Sequence, residues 1–263
     1  MNTRSVPLPQ GYQYFWFDHI DSTNQEALRQ CAKGQEPDSW FCADRQTKGR
    51  GTKGSEWVSQ TGNLYASLLI RSNCPPEHLA QISIIAALAA ITAIEQMASD
   101  QFNIGDLCLK WPNDILLKGR KVCGILIESK QSAQSGLFDI VIGTGINLAS
   151  NPQIEGLVAA GNLLDEDWSC SRIELFVALV QSMRDWLSIW RDGEGFETVR
   201  LAWLERSCHI GQTMTVMVGD VRHEGRMTTI SRNGALVLEG RSGNETVFSS
   251  ANIIKIEGSG PRS

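Results

Sequence analysis

The sequence predicts an α+β fold: a mixed β-sheet with packed helices, followed by a small antiparallel β-barrel. Three observations predict it. Strand-like and helix-like stretches alternate up to about residue 206, with no internal repeat. From Gly211 the texture shifts to short alternating runs divided by glycine-containing turns. The length, 263 residues, suits one large domain plus a small one at about 100–200 residues per domain. The boundary is expected near residues 207–211, giving a domain of residues 1–208 and a barrel of residues 209–263.

Tyr12–Phe17 is aromatic-rich and reads as the first strand. Thr23-Asn24-Gln25-Glu26 has the capping-box pattern and opens a helix to about Lys33, with Ala27, Leu28 and Cys31 on one side. Trp40–Ala43 is a short apolar strand, and a loop rich in Gly, Lys and Arg (Arg45–Gly62) leads to another at Leu64–Ile70. Pro75-Pro76-Glu77 starts a helix reaching about Ser99, apolar nearly all round and therefore central to the core. Strands at Leu107–Trp111, Val122–Glu128 and Phe138–Leu148 follow. Helices near Ser171–Trp190 and Gly195–Arg206 carry Trp186, Trp190 and Trp203 as core anchors. In the barrel, Met214–Val218, Val221–Ile230, Ala235–Leu238, Thr246–Ser249 and Ile253–Ile256 are separated by Gly219-Asp220, Asn233-Gly234 and Gly243-Asn244. Asn233-Gly234 predicts a two-residue type I′ hairpin, whose central positions both need positive φ.

Composition removes several function classes. With 24 Lys+Arg against 29 Asp+Glu the net charge is −5, which disfavours a coat for nucleic acid, since that requires a basic face. The 7 cysteines are scattered, with no CxxC and no histidine at ligand spacing, and read as reduced thiols of a cytoplasmic protein. The start, MNTRSVPLPQ, lacks an apolar signal segment, and the apolar run Ile82–Ile94 is too short to span a bilayer. No Ser/His/Asp order, HExxH or Cys–His nucleophile pattern occurs, so catalysis by charge stabilisation is expected.

Gly49-Arg50-Gly51-Thr52-Lys53-Gly54 fits GxGxxG, yet it runs into Ser55-Glu56-Trp57-Val58 rather than opening a helix, so it is a poor dinucleotide fingerprint. Its glycines can still expose N–H groups to an anion, with Lys48, Arg50 and Lys53 adding positive charge. Such a loop suits a phosphate or carboxylate, and a lid that orders on binding. Lys110-Trp111-Pro112-Asn113-Asp114 ends a strand in a turn that presents Asn113 and Asp114 to a ribose hydroxyl or a hydrated Mg²⁺. Lys121 stands at the mouth of the Val122–Glu128 strand as a fixed cation, and Gly124 leaves room for a ligand against the sheet. Val141–Asn147 is a glycine-interrupted strand ending in an amide suited to a base edge.

These segments, in this order, resemble the biotin–protein ligase family. Asp21-Ser22-Thr23-Asn24 resembles its serine-threonine-asparagine signature, and Ala43-Asp44-Arg45-Gln46 through Gly54 with Trp57 its biotin-binding loop. Lys110–Asp114, Lys121 with Gly124-Ile125-Leu126, and Ile142–Asn147 resemble its ligand-contacting strands, and the tail resembles its SH3-like C-terminal cap. The resemblance implies an ATP-dependent ligase that forms biotinyl-5′-AMP and transfers the biotinyl group to a lysine of a biotin carboxyl carrier domain. It implies Lys121 and Arg50 as catalytic cations. Ser22, Thr23, Asn24, Gln46, Arg50, Gly51, Thr52, Lys121 and Gly124 would bind biotin. Arg50, Trp57, Lys110, Asn113, Asp114 and Asn147 would bind ATP, with Mg²⁺ at Asp114. Where relatives carry arginine, this chain has Thr52, which implies a leakier adenylate. About eleven residues precede the first strand, too few for a DNA-binding domain, so no DNA and no membrane are expected, with a monomer or weak homodimer. A non-catalytic biotin or adenylate sensor, and a lipoate or octanoate transferase of the same fold, are the alternatives.

Overall fold

The computed structural model describes residues 6–100, 102–132, 136–152, 159–166, 168 and 170–257. The larger part is a seven-stranded sheet of β1 (Gln13–Ile20), β2 (Ser39–Gln46), β3 (Leu64–Ser72), β4 (Leu107–Lys110), β5 (Asp114–Leu117), β6 (Arg120–Gln131) and β7 (Phe138–Ile146). Its order is β1-β2-β3-β7-β6-β5-β4. β1 and β2 run parallel and the other neighbours antiparallel, so the sheet is mixed, as expected.

Two-residue periodicity sorts side chains between the faces. Phe41, Leu69 and Val141 turn to one face and meet Ala27 of α1 (Thr23–Ala32). Trp40, Cys42, Leu68, Ile140 and Ile142 turn to the other, under α2 (Leu79–Gln96), α3 (Arg172–Trp190) and α4 (Phe196–Glu205). α1 covers β2, β3 and β7 and leaves the β6 side of its face open. That uncovered half-face holds the candidate site.

Several expectations shift. Ser22, not Thr23, caps α1: its hydroxyl accepts from Gln25 N. Glu26 serves Arg29 and Gln30, while the Thr23 hydroxyl is drawn inward to Gln46. A capping box does form at Ser171 and Glu174, opening α3. Pro76–His78 forms a short 3₁₀ turn before α2, and the whole stretch Pro76–Gln96 is long enough to cross a membrane. Its apolarity is accounted for by burial, since 67% of its most apolar 18-residue window is buried within the fold, rather than by a shortfall in length. β5 was not foreseen, because Asp114-Ile115-Leu116-Leu117 is buried throughout and shows no alternation. Trp190 and Trp203 are core anchors, and the Trp190 indole donates to Gln81 at 2.6 Å.

The C-terminal sheet has order β11-β10-β9-β8-β12, from β8 (Thr213–Val218), β9 (Val221–Ile230), β10 (Leu236–Glu239), β11 (Glu245–Phe248) and β12 (Asn252–Glu257). The β9–β10 hairpin is not type I′. Gly234 alone has positive φ (79°), Gly234 N donates to Ser231 O, and Ser231 N donates to Ala235 O, closing a three-residue loop. Trp111 donates to Gly234 O and Gln81 to Arg232 O, so this turn docks on the larger part.

The expectation of reduced cysteines fails at one pair. Cys108 and Cys208 form a disulfide with Cα atoms 5.2 Å apart. The segment after α4 runs beside β4, where Leu109 N donates to Arg206 O and Cys208 N to Leu109 O. Cysteines 100 positions apart thereby meet, a proximity that sequence spacing does not reveal.

Candidate functional site

A pocket opens on the uncovered half-face. Ser22, Thr23 and Asn24 reach it from the start of α1, Gln46 from the end of β2, and Arg50, Gly51, Thr52 and Trp57 from the glycine loop. Asn113 comes from the β4–β5 turn, Lys121 and Gly124 from β6, and Asn147 from just past β7. The sequence-predicted set therefore converges, except that Lys110 and Asp114 lie behind the wall. Thr144, within the Ile142–Asn147 segment expected to contact ligand, also lines it, as do Tyr65, Pro152 and Ala160, which had no sequence signal. Burial pushes the Tyr65 hydroxyl up to about 12. It stays a donor, to Gln60 O at 2.7 Å.

The loop is tied down at both ends. Thr47 N donates to Ile20 O, Lys48 N to Asp21 O, Gly51 N to Ser55 O and Trp57 N to Gly49 O. Gln46 Oε1 accepts from Thr23 N (2.8 Å) and Thr23 Oγ1 (3.1 Å), while its Nε2 donates to Ser59 Oγ (2.9 Å). Ser67 Oγ lies 2.7 Å from Thr23 Oγ1 and 2.6 Å from Asn24 Oδ1. Asn24 Nδ2 donates to Glu128 Oε2 (3.0 Å), which also accepts from Arg50 Nη2 (2.5 Å). Ser67 and Glu128 were not foreseen, because each acts through a residue distant in sequence.

Glycines on β6 and β7 make the space, but not as expected. Gly124 does not leave an open gap: a Cβ there would sit 2.8 Å from the Trp57 indole and 3.1 Å from Lys121 Nζ. Its partner across the ladder, Gly145, would place a Cβ 2.7 Å from the same indole. Trp57 thus lies in the hollow that the two glycines leave, with the Lys121 ammonium 5.3 Å from its ring centre.

Lys121 is fixed from behind. Its Nζ is 2.5 Å from Asp114 Oδ1, and Lys110 Nζ is 3.0 Å from Oδ2. Burial raises the Asp114 carboxyl, but the two ammonium groups reverse this and hold it below the usual carboxylate range. The donor set does not suit a protein-held Mg²⁺. Each oxygen of Asp114 faces a cation, and among the described residues no group of three His, Cys, Asp or Glu could hold a metal. Asp114 is the counter-charge of two lysines.

The end of β7 is shaped by Asn63. Its Oδ1 accepts from Leu148 N, Ala149 N and Ser150 N at 2.9–3.1 Å, and its Nδ2 donates to Ser150 O. Asn147 donates to Gly161 O, while its Oδ1 is buried at the pocket wall without a partner among the described residues. An orphaned acceptor here suits a donor on a ligand.

The profile of the Biotin/lipoate A/B protein ligase family matches residues 16–147. The chain is 34% identical over 232 residues to the biotin–[acetyl-CoA-carboxylase] ligase of Paracoccus denitrificans, covering 86% of this chain and 94% of that one. It is 29% identical over 249 residues to the bifunctional ligase/repressor BirA of Bacillus subtilis, covering 90% of this chain and 73% of the relative. Among solved structures, biotin protein ligase from Aquifex aeolicus in complex with biotin and ATP is similar, with a TM-score of 0.75 at 24% identity over 93% of this chain and 98% of that one. At that identity the likeness speaks for the fold.

Proposed function

This chain belongs to the biotin/lipoate A/B protein ligase family, and from that premise we propose how its pocket performs biotin ligation. A carboxylate oxygen of biotin attacks the α-phosphorus of ATP, and pyrophosphate leaves with the bonding electrons. The resulting biotinyl-5′-AMP is attacked at its acyl carbon by a lysine amine of a carrier. AMP departs, the amine gives up a proton, and an amide remains.

One observation carries the residue assignment: a hydrogen-bonding wall and two cations share a single pocket. Ser22, Thr23 and Gln46 are assigned to the ureido ring, whose polar atoms cost free energy if buried unpaired. Lys121 and Arg50 are assigned to the two anions that must meet, each worth on the order of a few kcal/mol in the transition state when preplaced in a dry site. Lys121 is preplaced by Asp114 and lines the pocket beside Trp57. Asn113 and Asn147 are assigned to the nucleotide, with Asp114 and Lys110 acting through Lys121 rather than on ATP directly. Gly51 and Thr52 bring backbone close to the ligand, while Gly124 makes the hollow that seats Trp57. Magnesium is assigned to the incoming nucleotide, not to protein ligands. The carrier is the biotin carboxyl carrier domain of a carboxylase, the proposed setting is cytoplasmic, where the Cys108–Cys208 disulfide is an uncommon feature, and a monomer suffices because one chain supplies every named residue.

The test is mass spectrometry of a recombinant carrier domain incubated with this protein, biotin and Mg·ATP, with Lys121→Ala alongside. Biotinylation of one carrier lysine, lost in the variant, supports the reading. Biotin binding without release of pyrophosphate overturns it in favour of a sensor.

A further inference from the structure

Arg50 is the loop's cation toward the pocket, yet its guanidinium is already paired. Arg50 Nη2 lies 2.5 Å from Glu128 Oε2, across 78 positions of sequence. With the Gln25 amide turned so that its oxygen faces the guanidinium, Arg50 donates there too. Glu128 lies outside the pocket lining, further along β6 on the same face as Gly124, with a quarter of its side chain exposed. The same oxygen accepts from Asn24 Nδ2 at 3.0 Å. Asn24 accepts from Ser67, which adjoins Thr23, and Thr23 bonds Gln46. One carboxylate therefore sits at the head of the chain that orients the polar wall, and at the same time holds the loop's arginine.

We propose that Glu128 is a positioning residue that competes with the anionic ligand for Arg50 and so sets how tightly the site holds negative charge. The inference rests on the ligase reading of the pocket. With no anion bound, the Arg50–Glu128 pair keeps the loop docked on β6. When a carboxylate or phosphoryl oxygen enters, Arg50 divides its hydrogen bonds between ligand and Glu128, and the negative charge of Glu128 opposes the newcomer. Through Asn24 the same residue also fixes which way the hydroxyls and amide of the wall point, an effect that does not depend on ligand charge. The two roles are separable by chemistry. Gln at 128 keeps an acceptor for Asn24 but loses the charge, and Ala loses both.

The experiment is calorimetric binding of biotin, which carries a carboxylate, and of neutral biotin methyl ester, to wild type, Glu128→Gln and Glu128→Ala. For Glu128→Gln, biotin binding is expected to tighten relative to the ester by roughly two- to five-fold, the size set by a partly exposed ion pair. For Glu128→Ala, both ligands should weaken, because Asn24 Nδ2 loses its shorter acceptor and keeps only Leu126 O at 3.3 Å. Equal shifts for acid and ester in Glu128→Gln, or none, overturn the proposal, since a merely structural residue moves both alike. Should Glu128→Gln fail to fold, Glu128→Asp shortens the reach to Arg50, and the acid-to-ester ratio is read in the same way. Wild type that binds neither biotin nor its ester would instead refute the ligase reading.

Discussion

Trp57 and Gly145 fit one another without room for a methyl group: a Cβ on Gly145 would come within 2.7 Å of the Trp57 Cε2 atom. The same indole would meet a Cβ on Gly124. Gly145→Ala should therefore expel Trp57 from its hollow and disturb Lys121 beside it. The expected outcome is a red-shifted tryptophan emission and a fall in kcat/KM of at least about ten-fold, or 1.4 kcal/mol. Unaltered emission with full activity would contradict the packing described.

Asp114→Asn should be destabilising out of proportion to its size. It leaves the ammonium groups of Lys110 and Lys121 facing one another with no carboxylate between them. Breaking a buried pair of this kind costs about 3–5 kcal/mol. Guanidinium unfolding measures it, and a cost under about 1 kcal/mol would mean that the lysines find other partners. Activity should fall as well, since Lys121 loses its anchor.

Acid should weaken the fold in a defined window. Asp21 is held down to about 2, first by its hydrogen bond from Arg29, and Asp114 is also held below its usual range despite burial. A depressed carboxyl contributes stability that is complete above its unfolded pKa, about 3.9, and is lost as pH falls through the folded value. The thermal midpoint should thus be set by other groups down to about pH 5 and should drop between about pH 4 and 2. In Asp114→Asn that drop should be shallower, and an identical slope would remove Asp114 from the account.

Thr52 starts the short turn Thr52–Gly54 and lines the pocket with an exposed, uncharged side chain. Thr52→Arg places a cation at the mouth of a site that holds an anionic adenylate. Release of biotinyl-5′-AMP, followed by stopped-flow fluorescence, should slow by roughly ten-fold. An unchanged rate would show that Arg50 and Lys121 already suffice.

Thiol titration checks the cross-link between the strand β4 and the segment after α4. Cys31, Cys42, Cys74, Cys123 and Cys170 are free. Denatured protein should therefore show five reactive thiols before reduction and seven after it. Seven at the outset would place Cys108 and Cys208 in the reduced state.

Much of the site was legible because its residues lie in short ordered segments. Ser22-Thr23-Asn24, Arg50 with its glycines, and Lys121 with Gly124 all reach one pocket. What stayed hidden acts across the fold. Glu128 matters through Arg50 and Asn24, and Ser67 through Thr23, none of them sequence neighbours. Asp114 was read as a ligand-facing carboxylate because a turn next to a strand end exposes its residues. β5 begins at Asp114 itself and draws it inward between two lysines. Hairpin chemistry misled in the same local way at Asn233-Gly234, where the wider three-residue loop lets Trp111 reach Gly234 O.

Asn63 has a consequence for how the two central strands find each other. It stands one residue before β3, and Leu64 is paired with Ile146 at the end of β7. Sliding β3 by one residue would carry the amide about 3.3 Å along the strand, beyond reach of three N–H groups at once. It would also turn Leu68 and Leu69 to the wrong faces. A single polar side chain thus works as a pin for the alignment of β3 and β7, and misaligned pairings are penalised before any ligand is present. Because the same amide holds the bend that follows Asn147, the geometry of that corner of the pocket is inherited from strand alignment.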